Sequence, residues 1–532
     1  MKLRPQENSG DRNEECGATQ RALASPWLHT LLRGAIALLS VLFLLLFLYA
    51  ALRRLRYPFE LEWLESGVLL SVRRILAGQG LYVAPSTDFV PYLYAPLYFY
   101  LVATVAKLTS VSYVALRAVS IVGTLGCCGL IYAFIACETR RRLAAIAGAG
   151  LFLACYPLVG NFYDIGRVDS LYVFFLLLAL FCARRGHPVL AALACVLCFQ
   201  TKQSSLIVAI VLLSADWQHR RRIVVGLGTF AAVLGASLLW MNRATEGWYS
   251  FYLFHVAGGF KTVWREVFLY LPQDVLAPMG IALLLGLAAW AFTGVALRSR
   301  AASFYVAVTI ALYASVGYIG AHAGSSANTY MPVYAWTAIL FAVAFARLLT
   351  HLEQSGGVRA ALATTLVLAA AATQLALLLY NPGRYLPTPT VREARQRFID
   401  QIRSMPGDVY IFSHGYDAVL AGKLPHAEFT PIDNLLTKPN TAVAKTLRAE
   451  FDDALRSHRY SAVVVDGPLS DDTYGIQRAY PFALSAESEE ERFLTSQPTW
   501  ILLPCSTAES IASIAMRDDT SVRSEKCSVA RP

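Results

Sequence analysis

The stretch FELEWLESG, Phe59 to Gly67, sets Glu60, Glu62 and Glu65 a few residues beyond a long apolar run. Ionised groups beside hydrocarbon are costly, so they tend to persist where charge is used. Glu62 and Glu65 are three apart; on a helix they share a face, and Glu60 points elsewhere. A carboxylate so placed can serve as general base toward a membrane-held substrate. The plain alternative is a solvated stretch just outside the membrane.

Two further polar stretches interrupt apolar sequence. NFYDIGRVDS (161–170) carries Asp164, Arg167 and Asp169. It reads either as a structural ion cluster or as a seat in which the acids position an acceptor and Arg167 grips phosphate, a geometry that guanidinium suits. FQTKQSS (199–205) carries Gln200, Lys202 and Gln203 between two short apolar runs, so its lysine sits at or within the membrane plane and needs a partner. A lipid phosphate is one such partner for Lys202 and Gln203; snorkelling to the interface is the other reading. Weaker candidates for positioning a substrate are His255 in the aromatic segment 247–266, and His322 and Asn328 in AHAGSSANTYMP (321–332). Aromatic belts and lone histidines have ordinary structural explanations. There is no zinc-type spacing of His, Cys or Asp and no phosphate-cradling P-loop.

The elements that must position these residues are membrane helices. The chain is 56% hydrophobic and 15% charged, more apolar than a soluble domain. Eleven apolar runs read as spans: 33–52, 113–137, 143–160, 169–183, 188–201, 204–215, 223–241, 278–297, 302–320, 331–347 and 359–380. The stretch 92–108 reads as re-entrant or interfacial. With that choice, five loops holding 12 Lys+Arg against three acids fall on one side, together with the tail 1–32. Positive charge assigns that side to the cytoplasm. FELEWLESG, NFYDIGRVDS, FQTKQSS, 242–277 and 321–330 then converge on the outer face. Arg53, Arg54 and Arg56 close the first span there, where snorkelling to lipid phosphates is expected. The net charge of +10 divides into +13 for residues 1–380 (29 Lys+Arg, 16 Asp+Glu) and −3 for 381–532 (17 and 20). The basic excess therefore belongs to the membrane part and sets topology; nothing in it calls for nucleic acid.

The order of features resembles the GT-C superfamily of integral-membrane glycosyltransferases, in particular the bacterial branch related to protein O-mannosyltransferases and aminoarabinose transferases. ELEWLESG is followed by RRILAGQGLY (73–82), YLYAPLYFYL (92–101), ALRAVSIVGTLG (115–126), Arg167 and Asp169 as an R-x-D pair, and TKQ (201–203). The Asp-Glu common at the first site is Leu64-Glu65 here, and Ala95 replaces the first proline of the P-P-L motif. The resemblance implies a multi-pass protein of the bacterial inner membrane that takes a polyprenyl-phosphate-linked sugar and passes it, with inversion, to a hydroxyl of a lipid, glycan or protein. Glu62 or Glu65 would be the base, with Arg167 and Lys202 neutralising the departing phosphate. Some members use a divalent metal, for which Asp164 and Asp169 are the available pair; no motif demands a cofactor. A lipid transporter and a non-catalytic scaffold remain as other classes.

Overall, the sequence predicts a mainly α protein with a transmembrane GT-C-like domain, 33–380, and a small extracytoplasmic α/β domain, 381–532. In the latter, 407–415, 460–468 and 499–505 read as strands, and 391–404 and 441–458 as helices. His414, Asp417 and Asp466 read as loop residues, Cys505 and Cys527 as a pair that an oxidising compartment could join, and the chain from about 506 as loosely ordered.

Overall fold

The computed structural model describes residues 25–504 other than 260, 294–299, 323, 437–440, 467–472 and 486–499, together with a strand at 522–524. Every one of the eleven apolar runs contains a helix. Seven helices are long and apolar enough to cross a membrane by themselves, the first being Pro26–Leu55 and the last Gly357–Leu377. Arg142–Ala154, Asp169–Arg185, Pro188–Thr201 and Leu206–Ser214 are shorter. The helix within the 92–108 stretch is Leu97–Leu108, twelve residues and so about 18 Å long. A full bilayer crossing needs about 30 Å.

The two ends of the bundle differ in charge chemistry. At one end Arg33 and Arg141 meet Glu353, Arg184 meets Glu138, and Arg222 meets Asp216. These ion pairs lie in the described basic loops 138–142, 183–187, 216–222 and 347–359, and the first two of them tie the start of the first helix and the 138–142 loop to Glu353. At the opposite end lie the first loop, the 155–168 turn and the 201–205 break, joined by the ion pairs of the candidate site.

A five-stranded sheet caps that second end. Its strands are β1 Val409–Ile411, β2 Ala462–Val465, β3 Phe482–Ser485, β4 Trp500–Leu503 and β5 Val522–Ser524. They lie in the order β1-β2-β4-β3-β5, with β1 and β2 parallel and the other pairs antiparallel. The expected strands and helices are present, and β3 and β5 add to them. Within the end expected to be loose, the strand at 522–524 pairs with β3, which gives its backbone groups partners; the rest of 505–532 lies outside the described residues. Cys505 and Cys527 lie outside the described residues.

This sheet is built into the membrane part on both faces. Tyr57, Phe59 and Leu61 alternate along the first loop and pack with Phe398, Ile402, Ile411 and Val464. Such alternation buries one side of a non-helical segment. On the other face Tyr410, Val463 and Leu502 share a core with Leu64, Val68 and Val72 of the helix Leu64–Leu76. That helix comes close because residue 67 is glycine. A Cβ there would lie 2.1 Å from the Tyr92 ring and from Glu428 Oε2.

Candidate active site

The segment bearing the three glutamates is irregular, with bends at Pro58, Phe59, Leu61 and Glu62, and becomes helical at Leu64. The carboxylates therefore diverge instead of sharing one helical face. Glu60 turns to the soluble domain, where it meets Arg395 at 2.9 Å and His414. Glu65 turns inward. Its oxygens receive Arg117 Nε and Nη2 at 2.9 and 2.7 Å, the Leu61 amide at 2.8 Å and the Gly166 amide at 2.7 Å. It is fully buried. Gly166 is required for this approach, since a Cβ would meet Leu116 at 2.6 Å and Glu65 Oε1 at 3.0 Å. Burial alone would push the Glu65 carboxyl up, but Arg117 and the two amides hold it below the usual carboxylate range.

Glu62 is held more loosely. Its Oε1 accepts from Arg167 Nη1 at 2.9 Å and its Oε2 from the Leu64 amide at 3.1 Å, at the start of the helix. Burial pushes its carboxyl up to about 7 against the pull of Arg167, with Glu65 adding repulsion. One burial environment thus separates two acids three residues apart into a fixed anion and a group that titrates near neutrality.

From Glu62 an alternating chain of charges runs across the site. Arg167 donates from Nη2 to the Tyr94 hydroxyl at 2.8 Å, and its Nε lies 3.4 Å from Asp169 Oδ2. Asp169 Oδ1 accepts from Lys202 Nζ at 2.8 Å. The Asn328 side chain also hydrogen-bonds Asp169. Gln203 donates to the Leu93 carbonyl at 2.6 Å, while its buried Oε1 has no partner among the described residues. Lys202 stands where the backbone leaves helix: Pro188–Thr201 ends, Lys202 is extended, and helix resumes at Leu206. The break in the apolar run at FQTKQSS is what brings its ammonium group to the chain.

Other sequence-selected residues fall differently. Asp164 pairs with Arg54 at 3.0 Å and accepts from the Tyr156 hydroxyl at 3.0 Å, all within the buried interior. Arg54 is therefore no snorkelling residue; Asp164 and Tyr156 pair with its Nη1 inside the bundle, whereas Arg53 and Arg56 are exposed. The acids suggested for a divalent metal, Asp164 and Asp169, are each neutralised by a different cation. Among the described residues no group of three metal-ligating side chains occurs. His255 is exposed and stacks on Phe251; the backbone of His322 bridges to Thr262 and its ring meets Tyr318 edge-on. They lie on flanking segments, and of the three weaker candidates Asn328 joins the chain of charges.

Sequence reasoning did not assign roles to Arg117, Tyr94, Arg395 or Glu428. A lone arginine within an apolar span, as in ALRAVSIVG, was the available signal for Arg117. His414 lies in a loop as expected but is buried between Glu60 and Asp466, whereas Asp417 stands on the helix Gly415–Leu420 and meets Arg395; together they form a clasp. Burial would lower the His414 pKa, but Asp466 and Glu60 raise it well above the usual histidine value.

Solved structures share this architecture. The crystal structures of ArnT from Cupriavidus metallidurans, one bound to undecaprenyl phosphate and one in the apo state, match with a TM-score of 0.56 each. They are 14% and 13% identical to this chain, and each match covers 87% of it and 97% of ArnT. The fold is thus that of the GT-C membrane glycosyltransferases. Residues 92–316, somewhat less than half of the chain, match the model of glycosyltransferase family 87. No curated protein matches it.

Proposed function

We propose that the protein transfers a sugar from a polyprenyl phosphate to an acceptor hydroxyl, with inversion, and that Glu62 is the base. The observation that carries this reading is the contrast between the two central glutamates. Glu65 is saturated by four donors, whereas Glu62 titrates near neutrality beside a chain of cations. A base works best with a pKa near the working pH. The fold shared with ArnT, whose crystal structure is bound to undecaprenyl phosphate, supports the donor class.

In the reaction Glu62 takes the proton of the acceptor hydroxyl as its oxygen attacks the anomeric carbon. The bond from that carbon to the phosphate oxygen breaks, and polyprenyl phosphate leaves with one more negative charge. Lys202 and Gln203 receive that phosphate; a fixed cation at the point where charge develops lowers the barrier. Arg167, engaged with Glu62, Tyr94 and Asp169, orients the base and adds positive potential. Asp164 supports the site from below by fixing Arg54. The basic loops assign the opposite end to the cytoplasm, so transfer occurs on the outer face of the inner membrane, under the α/β domain.

The test is transfer from a synthetic polyprenyl-phosphate sugar by purified protein carrying Glu62→Gln. Loss of product with retained folding supports the reading. Full activity of that variant excludes Glu62 as base, and lipid movement without a new glycosidic bond points to a transporter.

A further inference from the structure

The chain Glu62–Arg167–Asp169–Lys202 contains one contact that is incomplete. Arg167 Nε and Asp169 Oδ2 face each other at 3.4 Å, are buried, and have no other hydrogen-bond partner among the described residues. The contacts on either side are closed, Glu62 to Arg167 at 2.9 Å and Asp169 to Lys202 at 2.8 Å. Asp169 therefore stands between two cations and is bonded to one. Lys202 is the most open member, with 13% of its side chain exposed against 6% for Arg167 and for Glu62. It also sits at the helix break. An anion entering the site meets Lys202 first.

We infer that Asp169 is a positioning residue that couples donor binding to the proton affinity of the base: a lipid phosphate drawing Lys202 away lets Asp169 close on Arg167, and Arg167 then loosens its hold on Glu62. The inference rests on the proposed roles of Glu62 and Lys202. Its physical content is competition for charge. A carboxylate that loses one cation binds the next more strongly, because an unpaired buried charge is expensive. With Arg167 drawn toward Asp169, Glu62 is less neutralised and becomes a stronger base. The groups that face Glu62 are Arg167, Glu65, Asp169 and Tyr92. Glu65 is locked by Arg117, which leaves the Arg167 contact as the adjustable one. Donor binding then raises the proton affinity of Glu62, so that once ionised it takes the acceptor proton more readily, and the pH needed to ionise it moves up.

Infrared difference spectroscopy of the intact membrane protein tests this, with undecaprenyl phosphate as the probe. That lipid has no carbonyl group, so a new protonated-carboxyl band on its addition comes from the protein, and its loss in Glu62→Gln assigns it. Titrating the band with and without lipid should move the apparent pKa of Glu62 upward by about one unit, a tenfold change in protonation above the midpoint. In Asp169→Asn the lipid should still bind and the shift should vanish. Direct repulsion between phosphate and Glu62 would leave the shift intact in that variant, which overturns the coupling. Lipid binding with no shift in the unaltered protein overturns it too, while leaving the donor assignment standing. Failure of the lipid to bind at all, read by isothermal calorimetry, removes both.

Discussion

Arg117 and Glu65 form a two-pronged ion pair, Nε to Oε1 at 2.9 Å and Nη2 to Oε2 at 2.7 Å, with neither side chain exposed. Arg117 also donates to the carbonyls of Arg54, Tyr57 and Phe59. The arginine thus fixes both the chain leaving the first span and the acid five residues beyond Glu60. Removing the acid strands a buried guanidinium, and breaking such a pair costs about 3 to 5 kcal/mol. Glu65→Gln is expected to lower the melting temperature of detergent-solubilised protein sharply. A melt unchanged from wild type would contradict the structural role.

Glu62→Gln separates from this. The expected loss is in turnover, about 10²- to 10⁴-fold for a general base, with a far smaller effect on melting. Parallel assays of transfer and thermal stability for the two variants distinguish chemistry from architecture.

The activity should depend on pH through Glu62. Its carboxyl is raised to about 7 by burial, and a base acts only when ionised. The kcat/KM of transfer, which reports the free enzyme, should therefore rise with pH up to about 7 and level off above it, falling about tenfold per unit below. Stability has the opposite sign for this group. A carboxyl whose folded pKa is raised stabilises the fold below its unfolded value and loses that contribution as pH climbs through the folded one. A rate profile that is flat between pH 5 and pH 8 would remove Glu62 as the titrating base.

Lys202→Met should weaken the donor rather than the acceptor. A hydrogen bond to a charged group contributes about 1.5 to 3 kcal/mol, so the donor KM should rise by roughly ten- to a hundredfold. Steady-state kinetics with each substrate varied in turn provide the comparison; a rise confined to the acceptor KM would misplace the phosphate.

The clasp on Glu60 predicts that the α/β domain is part of the catalytic architecture. Arg395 serves both Glu60 and Asp417, and both acids are buried or nearly so. Arg395→Met removes the cation that bridges them and leaves His414 alone to offset both acids. It should lower the melting temperature and reduce transfer together, measured on the full chain. Normal activity in that variant would make the domain a passenger.

Much of the helical plan is legible in the sequence because hydropathy acts locally. Each apolar run became a helix, and the short runs on either side of FQTKQSS became short helices around a break. The convergence of FELEWLESG, NFYDIGRVDS and FQTKQSS on one end was also legible, because the basic loops fixed the parity of the spans. The geometry within FELEWLESG was harder to read. Helical spacing put Glu62 and Glu65 on one face, but Tyr57, Phe59 and Leu61 found a hydrophobic partner in the sheet, and the segment stayed non-helical up to Leu64.

The sequence by itself determined a membrane protein with its ionisable groups massed at one end, since the cost of placing charge in hydrocarbon is paid wherever the chain folds. Only the tertiary structure decided which acid is held as an anion and which can exchange a proton. That choice depends on Arg117 and Arg167, and on the Gly166 amide, groups that lie about fifty to a hundred residues from the glutamates they serve and so beyond the reach of local pattern.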